Sequence, residues 1–121
     1  MTELVLKAEE AAQSAYAPYS NYLVGAVVRM RDGREFAGVN VENAAYPLGV
    51  CAEKTAIGAA ATAGYRPGDI EAIGITASPC GSCRQWLYEW QIGEVSYRRG
   101  DGSIGLASAS ELLPDTWELP G

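Results

Sequence analysis

Cys51, Cys80 and Cys83 are the only cysteines of a chain that contains no histidine. An odd number of thiols argues against a disulfide framework and fits a reducing compartment. The fold must therefore be held by an apolar core. At 121 residues the chain is long enough for one, because a domain of this size buries roughly two-thirds of its unfolded surface. Hydrophobic residues make up 48% and charged residues 20%. That balance suits one globular domain over residues 1–121 and excludes disorder as the main state. No linker, repeat or low-complexity stretch divides it. Without histidine there is no Ser-His-Asp or Cys-His mechanism and no histidine-ligated metal site. Chemistry is left to Cys, carboxylates, Lys, Tyr or backbone.

Nine basic residues against fifteen acidic ones give a net charge of −6. Such a surface repels polyphosphate, which argues against a nucleic-acid polymer as partner and leaves room for a single nucleotide or nucleoside. Met1-Thr2-Glu3 opens with an acid instead of a basic stretch before an apolar run. The apolar runs fall far short of a membrane span. A cytoplasmic, soluble protein with no membrane partner is expected.

Leu4, Ala8, Ala11, Ala12 and Ala15 recur at helical spacing, with Thr2 as the expected cap. Ala17-Pro18-Tyr19-Ser20 breaks that helix. Leu23 to Met30 reads as a strand, Asp32-Gly33 as a hairpin turn and Glu35 to Val41 as the returning strand. An alanine-rich helix follows Cys51 and stops at Gly64. Ile70 to Ala77 reads as a buried strand. Ser78-Pro79 opens the next helix, on which Cys83, Trp86, Leu87 and Trp90 share a face. Glu94 to Arg98 and a stretch near Ile104 read as short strands, and Leu112-Leu113 as a final short helix or turn. The order predicts an α/β fold, a mixed sheet with helices on both faces in three αβα layers. It does not give the strand order.

The chemistry concentrates in Cys51-Ala52-Glu53 and Pro79-Cys80-Gly81-Ser82-Cys83. Thiolates are good zinc ligands, and three protein ligands with one open position is the coordination of a catalytic zinc. Both segments lie at predicted helix N-termini, where the dipole and free N–H groups favour thiolate charge. Lys54 and Arg84 each directly follow a motif residue and are the available cations for tuning the thiolates. Glu53 is placed to move a proton beside a metal-activated water without being a ligand. Other readings stand beside this one. A C-x-x-C pair at a helix start also suits dithiol redox chemistry, which leaves Cys51 and Glu53 unexplained. A lone Cys51 is more often core, and a lone Glu53 a solvated helix residue.

Zinc deaminases acting on nucleobases carry H-x-E followed by P-C-x-x-C, with Cys for His in an all-thiolate variant. Cys51-Ala52-Glu53 with Pro79-Cys80-Gly81-Ser82-Cys83-Arg84-Gln85 fits that variant. The chain resembles the small cytidine deaminases of pyrimidine salvage, nearly end to end. The likeness includes Ala17-Pro18-Tyr19-Ser20, Val24-Gly25-Ala26, Asn40-Val41-Glu42-Asn43-Ala44, Ala56-Ile57 and Leu112-Leu113-Pro114. It implies a cytidine deaminase-like domain with about five strands and one Zn²⁺ per subunit on Cys51, Cys80 and Cys83. It further implies hydrolysis of cytidine and deoxycytidine to uridine and deoxyuridine plus ammonia. A metal-activated water would attack C4 of the base, and Glu53 would protonate N3 and help expel ammonia. The backbone around Ala52 and Cys80 would meet the base edge.

Asn40 and Glu42 look like the residues that hold the ribose hydroxyls, two apart on an extended segment and so on one face. Tyr22 and Trp117 stand where the family commonly has stacking Phe residues. In the family, the residue at the Trp117 position reaches a neighbouring subunit's site within a homotetramer, and Tyr46 and the Ala44 backbone look like further contacts lent by a neighbour. Lys54 stands where the family usually has Arg, a point charge in place of a planar fork. Two other functions remain in view: a deaminase for a modified or antibiotic aminopyrimidine nucleoside of the blasticidin type, and a non-catalytic zinc-stabilised binding module. The Asn40-x-Glu42 pair favours an ordinary ribose.

Overall fold

The computed structural model describes residues 2–119. Five strands form one sheet: β1 (Gly25–Met30), β2 (Glu35–Val39), β3 (Ile70–Ile75), β4 (Glu94–Arg98) and β5 (Ile104–Ala107). Their order is β2-β1-β3-β4-β5. The β3–β4 pair is parallel and the β1–β2, β1–β3 and β4–β5 pairs are antiparallel. The parallel pair is joined by a helical crossover, as parallel neighbours require. Among the described residues four α-helices accompany the sheet: α1 (Thr2–Ala11), α2 (Ala52–Thr62), α3 (Gly81–Glu89) and the short α4 (Ala109–Leu112).

The alternation of β1 sorts its side chains into two layers. Val27 joins Ala72 of β3 and Leu4 and Ala8 of α1 in one buried cluster. Ala26, Val28 and Met30 point the other way, into the larger core with Ala56, Ile57, Ile73, Leu87 and Val95. The sheet is thus covered on both faces, as the three-layer expectation requires. Helix α2 lies very close to β2. A Cβ built on Gly38 would stand 2.2 Å from the Ala56 nitrogen and 2.5 Å from the Ala52 carbonyl oxygen. Only a residue without a side chain permits that approach. Thr55 adds a tie, its hydroxyl donating to the Val39 carbonyl at 2.8 Å.

Several expected boundaries shift. Thr2 is the first described residue of α1 and lies inside the helix. β1 begins at Gly25, not Leu23, because the Val24 N–H is taken by the Asn40 side chain at 2.9 Å. β2 ends at Val39, since the chain then leaves the ladder and Val41 bridges to Tyr16 and Val50 instead. β3 ends at Ile75, two residues before the expected Ala77. Ser78 and Pro79 precede α3, which starts at Gly81 with Cys80 as its cap. On that helix Cys83 and Leu87 are buried but Trp86 is exposed, so the four residues do not share one buried face.

Candidate active site

Cys51 and Cys80 are the N-cap residues of α2 and α3, both extended in backbone. Cys83 lies one turn inside α3. Packing α2 onto β2 and bringing α3 across from β3 places the two helix starts side by side. The three sulfur atoms lie within 4.8 Å of one another. Cys83 is buried, Cys51 half-buried and Cys80 exposed.

Burial pushes the Cys51 thiol up. It pushes the Cys83 thiol up strongly, helped by the nearby Glu53 carboxylate and the other two sulfurs. Burial also acts against ionisation of Cys80, but the Cys83 N–H and the Cys83 and Cys51 thiols outweigh it and hold this thiol below its ordinary value. Three sulfurs crowded at two helix starts are poorly placed as free thiolates. They suit a soft divalent cation: sulfurs about 2.3 Å from one tetrahedral zinc stand roughly 3.8 Å apart, inside the separation observed. The residues present therefore fit zinc, with its fourth position left to a non-protein ligand.

Glu53 is 4% exposed. Burial raises its pKa, while its own backbone N–H, a hydrogen bond from Cys83 and the charge of Lys54 pull the other way. A buried carboxyl with raised affinity for a proton, beside a metal-ligand cluster, is suited to carry protons in a reaction.

A cleft of about 630 Å³ opens over this cluster, lined by Cys51, Cys80 and Glu53 and also by Tyr22, Asn40, Glu42, Tyr46 and Ala52. That is within the range of small-molecule sites. The wall of the cleft that carries Asn40 and Glu42 is built by backbone bonds around Val41. Val41 and Val50 exchange N–H···O bonds of 3.0 and 2.9 Å, and Tyr16 bonds to Asn40 and Glu42 at 3.0 and 2.9 Å. These bonds set Glu42 and Cys51 on adjoining extended segments. The Asn40 amide accepts from Val24 N–H and donates to the Tyr22 carbonyl at 2.8 Å. Glu42 accepts from the Tyr19 and Ser20 N–H groups at 3.0 and 3.1 Å and from the Ser20 hydroxyl. The Ser20 hydroxyl bond, with those N–H groups, holds the Glu42 carboxyl below the usual carboxylate range. One Asn40 N–H and part of the Glu42 lone-pair capacity stay free for a ligand.

Four sequence-selected residues lie elsewhere. Asn43 lines the cleft and its neighbour Ala44 does not. Trp117 is 70% exposed and belongs to a second groove beside α3 and α4. Lys54 donates to the Ser82 hydroxyl at 2.7 Å and sits 6.0 Å from the Trp86 ring centre. The Arg84 guanidinium donates to the Pro79 and Leu112 carbonyls and the Ser78 hydroxyl. Sequence reasoning gave no role to Ser20, Ala77 or Ser78, which also line the cleft. Ser20 belongs to the Ala17-Pro18-Tyr19-Ser20 motif, but nothing local shows that its hydroxyl meets a carboxylate 22 residues away.

Residues 1–99 match the family model for the cytidine and deoxycytidylate deaminase zinc-binding region. The cytidine deaminase of Halalkalibacterium halodurans is 40% identical over 119 residues, covering 92% of this chain and 89% of the relative. The cytidine deaminase of Mycobacterium tuberculosis is 38% identical over 116 residues, covering 93% and 85%. The 1.6 Å crystal structure of cytidine deaminase from Burkholderia pseudomallei superposes with a TM-score of 0.89 at 43% identity, over 96% of this chain and 98% of that one.

Proposed function

The chain belongs to the cytidine and deoxycytidylate deaminase family, and from that premise we propose that it hydrolyses free cytidine and deoxycytidine to uridine and deoxyuridine with release of ammonia. One observation carries the reading: a three-thiol cluster, the buried Glu53 carboxyl and the Glu42 carboxylate converge on one cleft. Relatives of this likeness bear the name cytidine deaminase, which favours this reading over an antibiotic-nucleoside deaminase, a non-catalytic module or a redox dithiol.

Cys51, Cys80 and Cys83 would hold the zinc. Bound zinc supplies Lewis acidity that makes water a nucleophile at neutral pH. Glu53 takes the proton of the attacking water, passes it to N3 of the base and then assists the departing amine. The overall balance is one water consumed and one ammonia released. Asn40 and Glu42 hold the sugar hydroxyls, with the Glu42 carboxylate accepting. The same negative charge disfavours a 5′-phosphate, so the nucleoside is the substrate and a polynucleotide is not. Tyr22 offers an aromatic face to the ligand. Lys54 acts on the site through its charge, which favours the ionised form of Glu53.

An apolar rim surrounds the cleft: Tyr19, Tyr22, Val41, Tyr46 and Val50 line it and are exposed. It supports a homotetramer in which Trp117, remote from its own cleft, and the Tyr46–Ala44 region contribute to a neighbour's site. Reduced thiols fit a cytoplasmic enzyme of pyrimidine salvage.

The test is an ultraviolet time course of purified zinc-loaded protein with cytidine, beside Glu53→Gln. The wild type should convert cytidine fully. The variant should keep stoichiometric zinc and turn over at least roughly a hundredfold more slowly. Zinc-loaded wild type that leaves both cytidine and deoxycytidine unchanged would refute the reading.

A further inference from the structure

Arg84 occupies the fourth position of α3 and is partly buried. Long side chains on a helix turn back toward its N-terminus, and this one reaches the loop that carries Cys80. Its Nε donates to the Pro79 carbonyl at 2.9 Å and one Nη to the Ser78 hydroxyl at 3.2 Å. The other Nη donates 3.1 Å away to the Leu112 carbonyl, at the C-terminal end of α4. A single planar fork thus joins the Ser78–Pro79 loop to Leu112, which lies 28 residues beyond Arg84 itself.

Each half of that contact has a consequence. A peptide group is planar, so fixing the Pro79 carbonyl fixes the Cys80 N–H, which points the opposite way. Ser78 and Cys80 line the cleft, so the loop clamped by Arg84 is a wall of the site. On the other side, the last carbonyls of a helix lack intrahelical donors, and Arg84 supplies one for α4. The first turn of α4 is already tethered, by its Ser108–Glu111 capping box and by Ala109 N–H to the Ile92 carbonyl at 3.0 Å. Arg84 secures the other end, from which the chain runs on through Pro114 to Trp117 and Glu118. One helical turn beyond Arg84, Tyr88 donates to Glu118. Arg84 and Tyr88 therefore make a stripe along α3 that holds the C-terminal segment, and the first of them also holds the cysteine loop.

We propose that Arg84 is a positioning residue coupling the docking of residues 113–119 on α3 to the geometry of the loop bearing Cys80. The proposal rests on the cluster holding zinc, as the deaminase reading has it. Coupling of this kind is reciprocal: if the docked tail favours metal retention, bound metal favours the docked tail by the same factor.

The experiment uses full-length zinc-loaded protein as wild type, Arg84→Gln and Arg84→Lys. Two rates are read: zinc transfer to a chromophoric chelator, and cleavage of the C-terminal segment by a dilute protease with and without zinc. Arg84→Gln is expected to release zinc roughly tenfold faster, the equivalent of one charge-assisted hydrogen bond. Stripping zinc from the wild type should speed tail cleavage severalfold, and Arg84→Gln should abolish that dependence. Arg84→Lys cannot span both sides and should also lose the dependence, which serves the test if the Gln variant fails to fold. Zinc release at the wild-type rate in both variants, or tail cleavage indifferent to zinc in the wild type, overturns the proposal. Turnover of cytidine by the wild type reports separately on the deaminase reading.

Discussion

The carboxylate of Glu42 takes three donors from two consecutive residues, Tyr19 and Ser20. Its charge is therefore compensated before any ligand arrives, and its orientation is set by a turn rather than by the ligand. The Asn21 backbone at φ 59° completes that turn, in the left-handed region that Asn tolerates better than most residues. Ser20→Ala removes the hydroxyl donor and leaves both N–H donors. The bond that is lost is charge-assisted, one of the stronger kinds, so the carboxylate is held less firmly toward its ligand. We expect KM for cytidine to rise roughly tenfold with kcat little changed, read by steady-state kinetics. An equal loss in kcat would place Ser20 in the chemical step instead.

At the scale of elements, the site depends on how α2 sits on the β1–β2 hairpin. Gly38→Ala would drive a methyl into the α2 backbone. Backbone cannot rotate away as a side chain can, so α2 and Cys51 at its start must move. We expect a loss of roughly 1–3 kcal/mol or more in a urea titration and faster zinc release in a chelator assay. The far end of α2 is clasped to the same hairpin by the Tyr65 hydroxyl, which donates to Asp32 at 2.6 Å. That bond lowers the Asp32 pKa from 3.8 and raises the Tyr65 pKa from 10.0. The Asp32 contribution is fully present above pH 3.8 and fades as pH falls through the lowered folded value. The Tyr65 contribution is present below pH 10 and fades as pH rises through the raised folded value. Asp32 is exposed and Tyr65 only partly buried, so the effect is small. Urea midpoints across pH should show both limbs flatten in Tyr65→Phe. Unaltered limbs in that variant would assign the pH dependence to other groups.

For the whole molecule, the exposed aromatic and aliphatic side chains around the cleft mouth form an apolar rim of the kind that interfaces cover. Sedimentation of the purified protein should give about four times the chain mass of 12.8 kDa. Trp117→Ala should raise KM while leaving the zinc content intact, because the indole is remote from the metal ligands of its own chain. A monomer with full activity would remove both the tetramer and the shared site.

Cys51, Glu53, Cys80 and Cys83 were legible in the sequence because each motif is local: ligand spacing at a helix start depends on a few neighbouring residues. The layering was legible too, since alternating and helical periodicities report which face is buried. Strand order was not, because pairing partners such as Ala26 and Ile75 lie far apart in the chain and no local signal selects among them. Strand ends shifted where a distant side chain took a ladder donor, as Asn40 takes Val24 N–H. The partners of Ser20, Lys54 and Arg84 came from folding alone. The sequence by itself pointed to the thiols and the carboxyl that the fold gathers at one cleft. The tertiary structure decided which groups hold them in place, because a hydrogen bond across 22 or 28 residues exists only once helices and sheet have packed.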